Sequence, residues 1–146
     1  MAGYSGRSLA GKLSLKDGQR VWWQNMPKDV RAAIEADGLT LKVLKTPAAP
    51  LDAVHVFVHA RAALETALTR ARAALAPDGF IWVSWPKQSS GVATDVSENT
   101  IRDVALPTGL VDVKVCAVDE IWSGLKLMIR KELREKSARE RNAARR

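Results

Sequence analysis

The segment from Leu51 to Trp85 constrains the fold more than any other part of the chain. It begins with a near-continuous apolar run, LDAVHVFVH at residues 51–59, which is typical of a β-strand buried on both faces. The next residues carry an apolar stripe at helical spacing, formed by Leu64, Leu68, Ala71 and Leu75. A turn at Pro77-Asp78-Gly79 leads into a second apolar strand, Phe80–Trp85. This order predicts two parallel strands joined by a helix that packs on their sheet.

The rest of the chain continues the alternation of helices and strands. Before this unit we expect a helix over residues 8–15, a strand over 20–26, a helix over 27–37, a strand over 39–45 and a loop over 46–50. After it we expect a polar loop over 87–95, a helix over 97–106 and strands over 111–118 and 125–130. The last connection is too short for a parallel crossover. We therefore predict an α/β fold, a three-layer Rossmann-like, mostly parallel sheet of about six strands with an antiparallel C-terminal hairpin.

The positive charge of the chain is concentrated at its end. The whole sequence has a net charge of +7, and residues 130–146 alone contain eight basic and three acidic residues, a net charge of +5. We therefore predict a single domain over residues 1–130 and a basic, solvated or helical tail over 131–146. Because the sequence of the domain itself is close to neutral, we expect no basic stripe of the kind that nucleic-acid binding requires.

Composition also restricts where the protein works. No apolar run approaches the roughly 20 residues that span a bilayer, and the first residues lack the apolar core of a signal peptide. Cys116 is the only cysteine, so an internal disulfide and a four-cysteine zinc site are both excluded. These features predict a cytoplasmic, bacterial-type protein that does not enter a membrane.

Two stretches resemble class I methyltransferases. LSLKDGQRV, which begins at Leu13, resembles the helix, turn and first strand that open many of these enzymes, and residues 52–84 resemble their fourth strand, helix, turn and fifth strand. The resemblance implies a methyltransferase-like Rossmann fold. In that fold a glycine-rich turn after the first strand and an acidic residue at the end of the second strand bind S-adenosylmethionine.

Over residues 3–130 the chain resembles more closely a bacterial family known only as a domain of unknown function, DUF3052. The similar segments are GYSG at 3–6, WPK at 85–87, TD at 94–95, ALPTGLVDVKVCAVDE at 105–120 and WSGLKL at 122–127. This resemblance implies a fold without an activity. Trp22 and Trp23 depart from the aliphatic residues usual in the first strand of the family.

Both cofactor-binding features of the methyltransferase fold are missing from the sequence. The turn after the first strand contains Met26 and Pro27, and no glycine occurs between Gly18 and Gly38. At the end of the second strand stand Lys45 and Thr46, where a carboxylate would be needed. We therefore predict that the protein uses no S-adenosylmethionine and has no cofactor.

A ligand site, if present, belongs at the carboxyl ends of the parallel strands. There the polar loop and its neighbours offer a cation, hydroxyls, a flexible glycine and a helix N-terminus that could together bind an anion. The candidate residues are Asn25, His59, Lys87, Ser90, Gly91, Thr94 and Asp95. The alternative is a plain connector in which Asp95 and Glu98 form a capping box.

Other reactive side chains are interpreted more simply. His55 and His59 lie four residues apart in one predicted strand, about 13 Å at the usual rise, so they cannot share a metal ion and we predict no metal site. Cys116, expected on one face with Asp112 and Lys114, is either a reactive thiol or a buried small hydrophobic residue. We expect the second.

The last hairpin contains Asp119, Glu120, Trp122 and Ser123 near its turn. The two carboxylates are adjacent in sequence and therefore point to opposite faces if they lie in a strand. Trp122 is either part of a packed turn or a residue that contacts a partner, and both interpretations stay open.

Three functions remain after these exclusions. The first is a non-catalytic domain that binds an unknown protein or small molecule at the carboxyl edge of the sheet. The second is an enzyme of unknown type that uses Lys87, Asp95 and His59, although no known catalytic motif occurs in the sequence. The third, nucleic-acid binding through the basic tail, ranks last.

Overall fold

The computed structural model describes residues 8–134, which form one six-stranded sheet flanked by helices. The strands are β1 (Arg20–Gln24), β2 (Lys42–Leu44), β3 (Leu51–Phe57), β4 (Leu75–Pro86), β5 (Leu110–Ala117) and β6 (Trp122–Ile129). The helices are α1 (Leu9–Lys12), α2 (Lys28–Glu35), α3 (Arg61–Ala74) and α4 (Glu98–Ala105), with short 3-10 helices at Gln88–Ser90 and Leu106–Thr108. Within these residues no helix is long and apolar enough to cross a membrane.

The sheet has the predicted architecture. Its strand order is β2-β1-β3-β4-β6-β5, and the pairs among the first four strands are parallel. Strand β6 runs antiparallel to both β4 and β5, so the C-terminal hairpin occupies one edge. The predicted mostly parallel α/β sheet with an antiparallel C-terminal hairpin is confirmed.

Apolar side chains on the two faces of the sheet form two core clusters. The first cluster includes Leu64 and Leu68 of α3 and Ile101 of α4, so these helices cover one face. The second includes Leu9 of α1 and Ile34 of α2, which cover the opposite face. The fold is therefore three-layered, and burial of these helical stripes against the sheet is its main source of stability.

The end of α3 differs from the prediction. Leu75, expected in the helical stripe, has extended backbone angles (φ −72°, ψ 130°) and pairs with Leu51 of β3. The predicted turn at 77–79 lies inside β4, where the register between the two strands shifts. At Gly79 an added Cβ would lie 2.7 Å from the carbonyl oxygen of Leu51, so the close approach of the two backbones requires glycine.

Two residues with left-handed backbone conformation shorten the first predicted elements. Asn25 has φ +58° and ends β1 at Gln24, two residues before the predicted end. Ser14 has φ +62° and lies just beyond α1, which is shorter than the predicted helix over 8–15. Neither conformation continues a strand or a right-handed helix. Asparagine adopts the left-handed conformation more readily than other non-glycine residues, so a polar residue of this kind is a sequence signal for the end of an element.

The two tryptophans of β1 pack on opposite faces of the sheet. Trp22 is buried in the first core cluster, and the Arg70 guanidinium lies 5.2 Å from its ring centroid. Trp23 packs against the second cluster, with the Arg31 guanidinium 5.3 Å from its ring. Each arginine covers an indole through a cation–π contact. The large rings in β1 are thus accommodated by helices α3 and α2.

The predicted domain boundary at residue 130 falls near the end of the described chain. Residues 131–134 are helical, and Leu133 packs against the first core cluster. The remainder of the predicted basic tail, residues 135–146, and the GYSG segment at 3–6 lie outside the described residues. The division into domain and tail stays a prediction.

Candidate functional site

The predicted ligand residues follow three parallel strands at their carboxyl ends. Asn25 follows β1, His59 follows β3, and Lys87 follows β4. Hydrogen bonds join His59 to the end of the 87–95 loop, because its carbonyl accepts from Thr94 Oγ1 at 2.6 Å and from the Asp95 amide at 3.2 Å. Strand β3 lies between β1 and β4, so Asn25 is one strand away from His59 on the side opposite to Lys87.

Lys87 connects the loop to the β5–β6 turn. Its amide donates to the carbonyl of Ile121 at 2.7 Å, and its Nζ donates to the carbonyl of Asp119 at 2.6 Å. The side chain is half-buried. One donor position of this ammonium group is therefore directed at the protein's own backbone, although two others remain.

The hydroxyls and the glycine of the loop shape its turns. Ser90 Oγ donates to the carbonyl of Lys87 at 2.6 Å and accepts from the amide of Val92 at 3.2 Å. Gly91, with φ +74°, ends the 3-10 helix Gln88–Ser90. Thr94 Oγ1 also accepts from the amide of Val96 at 3.0 Å. These contacts are local side-chain-to-backbone bonds of the kind that stabilise turns.

The predicted capping box of Asp95 and Glu98 is wrong. Helix α4 is capped by Ser97, whose Oγ accepts from the amide of Thr100, while Thr100 Oγ1 accepts from the amide of Ser97. Asp95 Oδ1 instead accepts from the amide of Arg61 at 2.7 Å. Arg61 is the first residue of α3, so the Asp95 carboxylate satisfies a free N–H of a different helix, where the helix dipole favours negative charge.

Trp122 forms an aromatic cluster beside His59. It is 8% exposed, and its ring makes edge contacts with Phe57 at 5.0 Å and with His59 at 5.2 Å between centroids. His59 itself is exposed. Most of the indole is therefore used in packing, and any partner would meet His59 and the turn residues before Trp122.

His55, unlike His59, is buried and does not reach this exposed edge. Its Nε2 lies 2.6 Å from Ser84 Oγ, and its ring stacks on Phe57 at 4.3 Å. Burial lowers the pKa of His55 to about 3, so the imidazole is neutral at neutral pH. The interpretation of the two histidines as a buried and a strand-end residue agrees with these positions. Ser84 was not identified from the sequence as the partner of His55. The one signal for it was a polar residue within the apolar strand 80–85.

Cys116 does not share a face with Asp112. The register of β5 shifts between Asp112 and Lys114, so the alternation counted from the sequence is broken there. Asp112 pairs with Arg102 of α4, whereas Cys116 packs against the cluster under α1 and α2. Burial raises the pKa of the Cys116 thiol despite the fields of Lys12, Lys114 and Lys87. The thiol thus lacks the lowered pKa of a reactive cysteine.

The residues after β1 do not fit S-adenosylmethionine. Only residues 25–27 separate β1 from α2, and Pro27 is the residue that precedes the helix. Met26 packs against the second core cluster. Close approach of a nucleotide cofactor requires bare backbone at this turn, which a core-packed methionine and a proline do not provide. At the end of β2 the next residue is Lys45, which cannot accept hydrogen bonds from ribose hydroxyls.

Two further features were not predicted. Gln24 Oε1, at the end of β1, is buried and has no hydrogen-bond partner among the described residues. A cavity of about 390 Å³ lies at the opposite edge of the sheet, where Asp17, Asp52 and Asp78 are among its lining residues. Asp17 and Asp52 accept hydrogen bonds from the amides of Thr40 and Arg20. These carboxylates thus stabilise the chain before β1 and β2.

Comparison with known proteins identifies the family. The profile of a family described as "Protein of unknown function (DUF3052)" matches residues 10–131. The chain belongs to the DUF3052 family. The match includes all six strands and the 87–95 loop, so the candidate site lies within the family's shared region. No curated protein sequence matches the chain significantly.

Solved structures similar to this DUF3052 protein include several methyltransferases. TrmN from Thermus thermophilus aligns with a TM-score of 0.51 and 13% identity, over 83% of this chain and 47% of TrmN. Magnesium protoporphyrin IX methyltransferase (ChlM) from Synechocystis PCC 6803, solved with bound SAH, aligns with a TM-score of 0.56 and 7% identity, over 83% of this chain and 78% of ChlM.

The mitomycin 7-O-methyltransferase MmcR aligns with a TM-score of 0.60 and 12% identity, over 84% of this chain and 53% of MmcR. The DUF3052 chain thus spans about half the length of TrmN and MmcR. At these identities the likeness establishes a methyltransferase-like fold and leaves activity to the residues of the site.

Proposed function

We propose that the protein is a non-catalytic domain that keeps a methyltransferase-like fold without its methyl donor and binds a protein partner at the carboxyl edge of the sheet. The observation that carries this proposal is the β1–α2 turn, where the partly buried Met26 packs against the second core cluster and Pro27 leads directly into the helix. A methyl donor bound in the manner of this fold would require that turn to be rebuilt.

The groups at this edge favour a binding role over catalysis. Asp95 accepts from the Arg61 amide, and Lys87 donates to the Asp119 carbonyl, so both charged candidates already have structural partners. These bonds give each side chain a structural role that does not require catalysis. The small-molecule alternative keeps one argument, the unpartnered Gln24 Oε1, which could accept a donor from a ligand.

A protein partner fits the exposed apolar side chains around the 87–95 loop. Ile121 is 44% exposed in the turn that Lys87 contacts, and Val92 in the loop is 40% exposed. Together with the exposed His59 they give this edge apolar and aromatic contact area beside polar turns. Apolar and aromatic residues surrounded by polar groups are typical of protein interfaces. Nucleic-acid binding through the basic tail, which ranks last from the sequence, stays untested, since residues 135–146 of that tail lie outside the described residues.

Surface variants test this proposal. The protein and its Ile121→Asp variant would be immobilised, and bound cellular proteins would be quantified and then retested as purified components. Leu106→Asp is the matched control, since Leu106 is 51% exposed and follows α4 at the opposite edge of the sheet. We expect a partner whose affinity falls about tenfold with Ile121→Asp, a loss of about 1.4 kcal/mol, and is unchanged with Leu106→Asp. Equal binding of every retested protein to both variants contradicts the proposal.

A further inference from the structure

Lysines from distant parts of the sequence meet on the face of the β5–β6 hairpin beside α1. Lys114 of β5 and Lys126 of β6 are directly opposite each other in the antiparallel pair. Lys126 Nζ donates to Ser14 Oγ at 3.0 Å, which brings the hairpin against the residues that follow α1. Lys12, in the last turn of α1, and Lys16, just beyond it, lie on either side of Ser14 in the sequence.

Neighbouring lysines act electrostatically on groups of this hairpin. The pKa of Lys126 is lowered first by burial and then by the positive fields of Lys114 and Lys16. At Cys116, two residues along β5, the fields of Lys12 and Lys114 act together. Lys16 also lines the cavity that contains Asp17, Asp52 and Asp78, so this lysine has carboxylates near it as well.

Such an arrangement opposes stability. Like charges directly opposite each other in an antiparallel pair are destabilising, and Lys126 is in addition partly buried. The geometry nevertheless holds this ammonium group in place: Nζ lies 4.6 Å from the centroid of the Phe80 ring and is bonded to Ser14, whose φ of +62° is unusual for serine. Two lysines opposite each other, one of them held against a hydroxyl, are expected where a ligand supplies negative charge between them.

We propose that Lys114, Lys126 and Ser14 form a binding site for a phosphate group. An ammonium pair and a hydroxyl can supply several donors to phosphate oxygens, and charge-assisted bonds of this kind are stronger than neutral ones. A free phosphorylated compound and a nucleic-acid backbone share this chemistry. The site is built from α1 and the β5–β6 hairpin and is independent of the proposed partner surface at the carboxyl edge.

Calorimetric titration at fixed ionic strength tests the site with two probes, inorganic pyrophosphate and a single-stranded DNA oligonucleotide. We expect saturable binding of at least one probe, weakened about tenfold by Lys114→Gln and by Lys126→Gln, because each removes a charged donor. Lys42→Gln is the control, since it removes the same charge from the exposed strand β2 and should weaken binding less than about twofold. Circular dichroism verifies that each variant is folded.

The two probes distinguish the sources of the phosphate. Binding of both with similar affinity supports a site for a free phosphorylated compound. Tighter binding of the oligonucleotide, with affinity that falls steeply with salt, supports a nucleic-acid backbone. Lys114→Gln should also raise the melting temperature of the ligand-free protein, because the like-charge pair is removed. Absence of saturable binding, or equal weakening by Lys42→Gln, overturns the proposal.

Discussion

Replacing Trp122 by alanine is expected to lower the free energy of unfolding by about 3–5 kcal/mol, the usual cost of removing a buried tryptophan. The indole is 8% exposed and contacts both Phe57 and His59, so its removal leaves a cavity between β3 and the β5–β6 hairpin. Since small domains are stable by about 5–15 kcal/mol in total, the variant should lose a large part of its stability. Urea unfolding followed by circular dichroism measures the change.

The neighbouring Ile121→Ala variant is the control. Ile121 is 44% exposed, so its truncation should change the free energy of unfolding by less than about 0.5 kcal/mol. Trp122→Phe should be intermediate, because a smaller ring keeps part of the contact with Phe57. A Trp122→Ala protein that unfolds like the unmodified protein would show that the indole does not support the hairpin, and a role limited to partner contact would then be favoured.

Acidification is expected to destabilise the protein through His55. Because its pKa in the folded protein is lowered to about 3 from the ordinary value of 6.5, the unfolded chain binds a proton between these values that the folded protein does not. The stability that His55 contributes is therefore present above pH 6.5 and is lost as the pH falls toward 3. Between pH 7 and pH 5 the loss should be about 2 kcal/mol.

The chain offers a clean control for this effect, since His55 and His59 are its two histidines. His55→Gln keeps a polar group near Ser84 but cannot titrate, so the difference in unfolding free energy between pH 7 and pH 5 should shrink by about 2 kcal/mol. His59→Gln, which alters an exposed residue, should keep the original pH dependence. If His55→Gln and the unmodified protein lose equal stability over this range, the buried neutral imidazole is not the cause.

The parts of the fold that depend on local pattern could be predicted. The strand at 51–57 is buried on both faces and is therefore a near-continuous apolar run in the sequence. Helix α3 is buried on one face only, so its apolar residues recur every three or four positions. The end of α3 could not be predicted, since Leu75 fits the helical stripe equally well and only its pairing with Leu51 makes it a strand residue. The shift in β5 that separates Asp112 from Cys116 likewise depends on pairing with β6.

The position of the candidate residues in the fold could be predicted from sequence, but their hydrogen bonds could not. Strand order is enough to bring His59 and the loop after β4 to one edge. The bonding of each polar group was out of reach, because Asp95 binds an amide 34 positions away in sequence, at Arg61, and only tertiary contact reveals it. The pairing of Lys114 with Lys126 was out of reach for the same reason, because only the strand register shows that the two residues are opposite each other.

The loss of the methyl donor is tested most directly by calorimetric titration of S-adenosylmethionine into the purified protein. With Met26 packed against the second core cluster and Pro27 leading directly into α2, no saturable heat is expected up to a ligand concentration of about 1 mM, which corresponds to a binding free energy weaker than about −4 kcal/mol. Micromolar binding that is abolished by substitutions at residues 24–28 would contradict this account and return the protein to the functional methyltransferases.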